Sequence, residues 1–305
     1  MNYRIPHKVF ILISVLLRGA VSLSSSFDGR NKNLTEIPTL DDLPATITSL
    51  DFSYNNIEVV HPITPQYPSS IKEVILSHNK IDTIVRGAFD NLINLENLDL
   101  SYNKITGSSL HIETFKYEIG HFEKIRRLHL RGNHLGNLER LTFTAFGFST
   151  LEYLDLSQCF LQTLEHMSID NLASLKQLNL SYNSLKTFEQ LSLEGLMELE
   201  ILDLSYNKIT VLSEMSSLLS LKALNLDNNG MFAIKENIFS KLLGLQILSL
   251  KENNLRTLSP HILPLDSISI NEIRLDKNPW HCDCNLRWLT EDSNDQFDFN
   301  NFTLE

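Results

Sequence analysis

The stretch Ile47-Thr48-Ser49-Leu50-Asp51-Phe52-Ser53-Tyr54-Asn55 carries the pattern that decides the fold of this chain. Apolar residues stand at its first, fourth and sixth positions, and an asparagine closes it. The pattern opens ten times, at Ile47, Ile71, Leu95, Ile125, Leu151, Leu175, Leu199, Leu221, Leu245 and Ile270. Consecutive openings are 22 to 30 residues apart. A period of this length predicts a solenoid in which each coil buries its apolar side against its neighbours.

Each position of the pattern has an expected role. Positions three to seven alternate between variable and apolar residues, which predicts a short strand with its apolar side chains inside the coil. The closing asparagine can both donate to and accept from backbone groups that would otherwise be buried without partners. A further apolar residue, eighteen places after the opening, is expected to close the core on the far side of the coil. It is found as Phe89, Phe143, Ile169, Leu193, Phe239 and Leu263.

The wording L-x-x-L-x-L-x-x-N resembles the leucine-rich repeat. This resemblance implies an α/β fold: a leucine-rich-repeat solenoid, or curved horseshoe, with a parallel β-sheet on the concave face. Short helical or irregular segments are expected on the convex side. The third, fifth, seventh and eighth positions of each repeat are predicted to face the concave side, where a partner would bind.

The amino terminus and the charge indicate an extracellular protein. Residues 1–22 have Arg4 and Lys8 before an apolar core and a small-residue cleavage site, as a signal peptide does. This segment also contains Arg18 and no acidic residue, so its removal would change the net charge from −11 to −14. Nucleic acid is a poor partner for such a surface. With no apolar run long enough to span a bilayer, we expect a secreted protein, or a cell-surface one if the chain is a fragment.

Both ends resemble the caps of a known family. Asn278-Pro279-Trp280-His281-Cys282-Asp283-Cys284 resembles the start of the cysteine-rich cap of extracellular leucine-rich-repeat proteins, such as Toll-like receptors and variable lymphocyte receptors. The expected division is 23–46 as a cysteine-free N-terminal cap, 47–278 as ten repeats and 279–305 as a partial C-terminal cap. The resemblance implies disulfides from Cys282 and Cys284 to partners absent from this chain. Truncation is favoured over a pair of free thiols.

Repeat four breaks an otherwise acidic surface. Arg127, His129 and Arg131 are predicted to share one face, and the next repeat adds Tyr153 and Asp155. This cluster could bind a carboxylate or sulfate of a ligand. The alternative is that the two arginines only pair across strands with Asp99 and Asp155.

The eighth position holds an aromatic row consisting of Tyr54, His78, Tyr102, Tyr182 and Tyr206. Exposed tyrosines suit protein recognition, so Tyr102, Tyr182 and Tyr206 join the candidate ligand-binding residues. The alternative is that this wording is simply common in the family. For the aspartates that recur at the fifth position, the favoured interpretation is that aspartate is simply common at this position in the family.

Three sequons predict glycosylation at Asn33, Asn179 and Asn301. A glycan on Asn179 would stand on the concave face and move binding toward a flank. Cys159 replaces the asparagine of repeat five and is interpreted as a buried structural thiol. The long third repeat, with an insertion over 106–124, is either a contact loop or a tolerated excursion.

Catalytic and metal-binding signatures are lacking in the sequence. We therefore expect no enzyme, no cofactor and no metal site. The expected function is non-covalent recognition of a protein or glycan through the concave face or a flank, with a homo- or hetero-dimer possible. Two alternatives are an ectodomain fragment of a Toll-like type of receptor and a structural protein of the extracellular matrix or of cell adhesion.

Overall fold

The computed structural model describes residues 25–39, 43–63, 69–110, 124–138, 143, 148–164, 168–169, 172–187, 193, 195–213, 215, 217–262 and 270–281. Its main element is an eleven-stranded parallel sheet in which strands follow one another in chain order. These strands are β1 (Ser26–Asp28), β2 (Ser49–Asp51), β4 (Glu73–Ile75), β6 (Asn97–Asp99), β7 (Arg127–His129), β8 (Tyr153–Asp155), β9 (Gln177–Asn179), β10 (Ile201–Asp203), β11 (Ala223–Asn225), β12 (Ile247–Ser249) and β13 (Glu272–Arg274). A second, two-stranded sheet pairs β3 (Val59–Val60) with β5 (Thr83–Ile84). Short 3₁₀ turns cover Ser108–Leu110 and Pro260–Ile262.

The predicted solenoid is confirmed. Each of the ten repeats supplies one strand, and equivalent positions lie side by side, as in the register of Leu50 with Val74 and of Val74 with Leu98. The far-side anchors that fall within the described residues are buried, namely Phe89, Phe143, Ile169, Leu193 and Phe239. Leu263 lies outside the described residues.

The strands are shorter than the sequence predicted, covering positions three to five rather than three to seven. In six repeats the fifth side chain accepts a hydrogen bond from the backbone N–H of the seventh residue, which stabilises the turn after the strand. Asp99 Oδ1, for example, accepts from the Ser101 N–H at 2.8 Å. The same hydrogen bond is accepted by the side chains of Asp51, Asp155, Asn179, Asp203 and Asn225. The recurring aspartates therefore shape the turn after each strand, which supports their structural interpretation.

The stretch interpreted as the N-terminal cap contributes a strand of its own. β1 extends the sheet beyond repeat one, with Phe27 in register with Leu50. Behind it, Asn55 Oδ1 accepts hydrogen bonds from the backbone N–H groups of Lys32 and Leu34, at 2.9 and 3.0 Å. The first coil is therefore covered without a cysteine.

The closing asparagines hold neighbouring coils together. Asn103 Nδ2 donates to the carbonyls of Leu76 in the preceding repeat and Leu100 in its own, both at 3.0 Å. Its Oδ1 accepts from the Ile81 N–H at 2.9 Å. Nine asparagines bridge two carbonyls in this way, namely Asn55, Asn79, Asn103, Asn133, Asn183, Asn207, Asn229, Asn253 and Asn278. The predicted role of this position is confirmed.

Cys159 keeps only half of this arrangement. Its Sγ donates to the carbonyls of Leu130 and Ser157, at 3.2 and 3.3 Å. A thiol has no equivalent of the amide oxygen, and the Leu135 N–H makes no hydrogen bond to a described residue. Burial raises the pKa of the Cys159 thiol to about 12. The thiol therefore stays protonated at neutral pH, which supports a structural rather than a reactive cysteine.

Replacing one bridging asparagine tests how much the solenoid depends on this bond. In Asn103→Ala, the Ile81 N–H loses its acceptor inside the coil. The carbonyls of Leu76 and Leu100 each lose one of their donors but keep another, the amides of Asn79 and Asn133. We expect the free energy of unfolding to fall by about 1–3 kcal/mol, the cost of one buried unsatisfied group. Asn254→Ala is the control because Asn254 is exposed, and it should change stability by less than about 0.5 kcal/mol. Urea denaturation followed by circular dichroism measures both, and equal stability of the two variants would contradict this role.

Candidate functional site

The eighth position of every repeat adopts a left-handed backbone conformation. Among the described residues, the non-glycine members of this column have φ between 53° and 57°: Asn31, Tyr54, His78, Tyr102, Gln158, Tyr182, Tyr206, Asn228, Glu252 and Lys277. This conformation costs roughly 1–2 kcal/mol for a residue with a Cβ. It is held by the next coil, since each backbone N–H donates to the seventh carbonyl of the following repeat. The Tyr54 N–H donates to Ser77 at 3.0 Å, and the His78 N–H to Ser101 at 2.9 Å.

The repeated conformation stacks the aromatic side chains of this column against one another. The rings of Tyr54 and His78 are 4.3 Å apart and 8° from parallel, and those of His78 and Tyr102 are 4.5 Å apart and 14° from parallel. Tyr182 and Tyr206 form a second stack at 4.1 Å and 7°. The ring faces inside each stack are covered by neighbours, so His78 presents only its ring edge to solvent, and each terminal tyrosine presents its edge, its hydroxyl group and one outer face.

Gly132 ends the first stack. It holds the eighth position of repeat four, with φ +72°, and a Cβ there would lie 2.5 Å from Cδ1 of Tyr102. The Tyr102 ring occupies the space that a side chain would otherwise fill. The Tyr102 hydroxyl lies 3.4 Å from Gln158 Oε1, two repeats after Tyr102. The first stack therefore leans over repeat four, toward the basic residues of that repeat.

The predicted basic cluster is assembled on β7 and β8. The Arg131 guanidinium lies 5.7 Å from the centre of the Tyr102 ring, within the range of a cation–π contact. His129 packs against Tyr153, with ring centres 4.9 Å apart. Arg127 is in register with Tyr153 on the adjoining strand. Six of the eight residues predicted to bind ligand are thus neighbours, namely Tyr102, Arg127, His129, Arg131, Tyr153 and Asp155, whereas Tyr182 and Tyr206 form their separate stack.

Neither arginine makes the cross-strand ion pair that the alternative interpretation required. Among the described residues, Arg127 and Arg131 have no carboxylate within ion-pair distance, and the buried Nε of Arg131 has no hydrogen-bond acceptor. Their neighbour Arg126 does pair, with Glu152 at 2.5 Å. Two guanidinium groups therefore stand on the sheet without a counter-ion from the described part of the chain.

Asp155 differs from its predicted role. Its exposed fraction is 5%, and its Oδ1 accepts from the Ser157 N–H at 2.9 Å, so it belongs to the turn after β8. We correct its assignment from a ligand contact to a supporting residue. Burial, and then the negative charge of Asp155, raise the pKa of the Tyr153 hydroxyl, which keeps that group protonated and able to donate.

The seventh position also differs from the prediction, because most of its members are buried serines rather than exposed residues of the concave face. They are Ser53, Ser77, Ser101, Ser157, Ser181 and Ser205. In repeat four, Arg131 occupies this position and is partly exposed. Its charged group lies between the other residues of the basic cluster and the aromatic stack.

Phe160 was not anticipated from the sequence. Its exposed fraction is 62%, its φ is +59°, and its ring stacks on His134 at 5.2 Å. A bulky exposed side chain in a left-handed conformation is rare, and such residues concentrate at binding sites. No periodic signal marks this position, whereas Gly132 could have been found as the single glycine of the eighth-position column.

The glycosylation candidates are only partly described. Asn33 is exposed, with φ +54°. Asn179 is half-buried on β9, and its Oδ1 accepts from both the N–H and the hydroxyl of Ser181, at 3.0 and 2.8 Å. Its Nδ2, the atom that a glycan would modify, donates to no described residue. Asn301, Cys282, Cys284 and the signal segment 1–22 lie outside the described residues.

Metal sites and membrane spans are both lacking in the described ranges. No group of three or more His, Cys, Asp or Glu side chains there is arranged to hold a metal ion. Within the same ranges, no helix is long and apolar enough to cross a membrane.

The parallel sheet, the asparagine bridges and the repeated left-handed turn together define a leucine-rich-repeat solenoid. Comparison with known families agrees, because the profile described as Leucine rich repeat matches residues 45–105, 123–185, 181–231 and 219–263. The chain belongs to the leucine-rich-repeat family. Its relatives in this family are non-enzymatic recognition proteins.

Individual relatives cover parts of the chain. It is 28% identical over 153 residues to the human leucine-rich repeats and immunoglobulin-like domains protein 3, covering 50% of this chain and 12% of that protein. It is 32% identical over 126 residues to lumican of Gallus gallus, covering 41% of this chain and 33% of lumican. A solved octameric complex of latrophilin 3, Unc5D and FLRT2 contains a leucine-rich-repeat chain with the same fold. That match has a TM-score of 0.66 at 22% identity and covers 88% of this chain and 86% of that one.

Two glycines separate the effect of the Tyr102 ring from the cost of the left-handed backbone. Gly136 has φ +62°, and a Cβ at this position would meet no atom within 4 Å, so Gly136→Ala should cost only about 1–2 kcal/mol. Gly132→Ala carries the same backbone cost and must also displace Tyr102, so we expect an additional loss of about 1–3 kcal/mol from overpacking. Urea denaturation measures both variants. Equal losses in the free energy of unfolding would mean that the packing of the Tyr102 ring does not depend on the absence of a side chain at Gly132.

Proposed function

We propose that this chain is an extracellular recognition module that binds a protein partner where the first aromatic stack meets the basic cluster. The observation that carries the proposal is the pair of guanidinium groups of Arg127 and Arg131, which have no carboxylate partner among the described residues, with Arg131 over the ring of Tyr102. Arginine and tyrosine are the residue types that contribute most to protein–protein binding energy. Their coincidence on one rigid sheet supports a binding centre at repeats three to five.

The charges favour an acidic group on the partner. A guanidinium without a counter-ion gains from a carboxylate or sulfate through two parallel hydrogen bonds. The contact of Arg131 with the Tyr102 ring restricts its side chain, so less conformational entropy is lost on binding. The net charge of −11 makes this cationic spot distinct from the rest of the surface and helps to orient an approaching partner.

The aromatic geometry favours a protein over a glycan. Sugars stack on the faces of aromatic rings, but inside the stack of Tyr54, His78 and Tyr102 those faces are already covered. The exposed edges and hydroxyl groups suit polar and apolar groups of a polypeptide. The exposed Phe160 ring, which stacks on His134, adds an apolar group on repeat five.

A glycan on Asn179 would restrict docking to the side of the sheet that carries the first aromatic stack. Asn179 is in register with Asp155 on β8, so a glycan there would border the basic cluster, whereas the stack of Tyr54, His78 and Tyr102 lies at least three strands away. The matched regions take up only 12% and 33% of the human and avian relatives, so the activity of the whole protein is also part of this proposal.

Removing both unpaired arginines tests the binding centre. Purified extracellular domains are screened pairwise against the full chain, and the affinity of each hit is measured by biolayer interferometry. Arg127→Ala with Arg131→Ala should weaken binding at least about tenfold, because losing an interface contact of this kind costs more than about 1.4 kcal/mol. Arg126→Ala is the matched control, since Arg126 is adjacent but paired with Glu152, and it should change affinity less than about twofold. A partner that binds the double variant normally would place the site elsewhere.

Glycosylation is tested independently. Protein secreted from eukaryotic cells should carry glycans at Asn33, which is exposed, and at Asn179, whose Nδ2 has no partner in the described structure. Intact mass before and after enzymatic deglycosylation measures occupancy, and Asn33→Gln and Asn179→Gln should each remove one glycan. An unmodified Asn179 would leave the central sheet open and remove this restriction on docking.

A further inference from the structure

Three consecutive repeats expose a large apolar side chain at the same place. Met197, Leu219 and Leu243 each stand two residues before the opening of a repeat, with exposed fractions of 69, 62 and 58%. The equivalent positions among the described residues of earlier repeats are Ala45, Ser69, Ile93, Ser149 and Ala173. Only Ile93 is large and apolar there, and it stands alone. The repetition in repeats seven to nine therefore forms a continuous row.

The strands that follow extend this row. Ile201, Ala223 and Ile247 occupy the third position of the same repeats and lie side by side on β10, β11 and β12. Ile201 is 41% exposed, and the other two are partly exposed. We call the six residues Met197, Ile201, Leu219, Ala223, Leu243 and Ile247 the amino-edge patch, because they lie at the amino ends of these strands. Apolar residues that adjoin on an exposed surface mark interaction sites, whereas scattered ones do not.

Charges of both signs lie beside the amino-edge patch. At the second position of the same repeats stand Glu200, Lys222 and Gln246, and Lys222 Nζ lies 2.9 Å from Glu200 Oε1. The exposed Glu198 adds one further negative charge next to Met197. The chain as a whole carries −11, so most pairings of two copies would be repulsive, and this patch is a surface on which that repulsion is small.

We propose that the amino-edge patch is a dimerisation surface for a second copy of this chain, related by a two-fold axis between β10 and β11. Along the second positions the charges alternate in the order Lys176, Glu200, Lys222. The two-fold axis places Glu200 opposite Lys222 of the second copy, and Lys222 opposite its Glu200. It also places Met197 opposite Leu219 of the second copy. Repeats seven and eight of the two copies are therefore complementary in both charge and apolar character, as a two-fold interface must be, and Leu243 faces Ala173 of the second copy at the rim.

The size of the patch indicates a reversible dimer. Stable interfaces cover about 800 Å² on each partner, and an apolar centre with a charged rim is their usual anatomy. Six residues on three strands about 4.8 Å apart provide the centre, and the flanking charged side chains provide the rim. We expect a dissociation constant on the order of 1–100 μM, as in weak associations of this size.

Sedimentation velocity on the full secreted chain, over about 1–300 μM, tests the proposal. The wild type should move from monomer to dimer across this range, and Leu219→Glu should stay monomeric. Ile93→Glu is the matched control, because Ile93 has the same place in its repeat and the same 58% exposure as Leu243 but no apolar neighbour row. It should dimerise like the wild type, and thermal unfolding by circular dichroism verifies that both variants are folded.

A charge exchange tests the two-fold arrangement. Glu200→Lys should weaken the dimer at least tenfold, and adding Lys222→Glu in the same chain should restore it. A wild type that stays monomeric at the highest concentration overturns the proposal, as does a dimer that Leu219→Glu leaves intact. Loss of the dimer in Leu219→Glu without restoration by the exchange overturns the two-fold axis. None of these outcomes involves Arg127 or Arg131, so the dimer and the proposed binding centre stand or fall separately.

Discussion

The hydrogen bonds of the closing asparagine amide hold this structure together. In each coil the chain must turn out of the sheet while its backbone groups pass out of reach of water. An amide is the smallest side chain that can donate to two carbonyls and accept from an N–H at once. Asn103 does this between three segments of two coils, with distances of 2.9 to 3.0 Å. The spacing of the coils, and therefore of everything displayed on them, follows from this bond.

The turn that the asparagine closes also forces the residue before it into the left-handed region. Because every coil repeats that turn, side chains at the eighth position are displayed with one orientation and a constant separation. Tyrosine and histidine rings then stack, as Tyr54, His78 and Tyr102 do at 4.3 and 4.5 Å. The proposed binding surface is thus a consequence of the backbone rather than an addition to it. The left-handed conformation costs free energy at each eighth-position residue and is held by packing between coils. The same conformation aligns the side chains that are proposed to bind a partner.

The proposed binding centre lies where the sequence departs from the repeat. Gly132 removes a side chain and lets Tyr102 lean toward Arg131. Cys159 removes an acceptor, and Phe160 follows it in a strained, exposed conformation. The amino-edge patch lies at the other edge of the sheet and in later repeats. Its position would let a second copy dock while the proposed centre at repeats three to five remains accessible.

The sequence by itself determined the repeat register, the parallel sheet, the buried anchors and the role of the asparagines, because each of these depends on local periodicity and on the hydrogen-bonding capacity of one residue type. It also placed the basic cluster correctly, since equivalent positions of adjacent repeats must be neighbours. Only the tertiary structure decided that Asp155 is buried, that Arg127 and Arg131 lack carboxylate partners among the described residues, and that Phe160 is exposed. It also revealed β1 at the amino end. These features depend on contacts between side chains in different coils, where small differences in distance decide whether two groups pair, and no one-dimensional pattern specifies those distances.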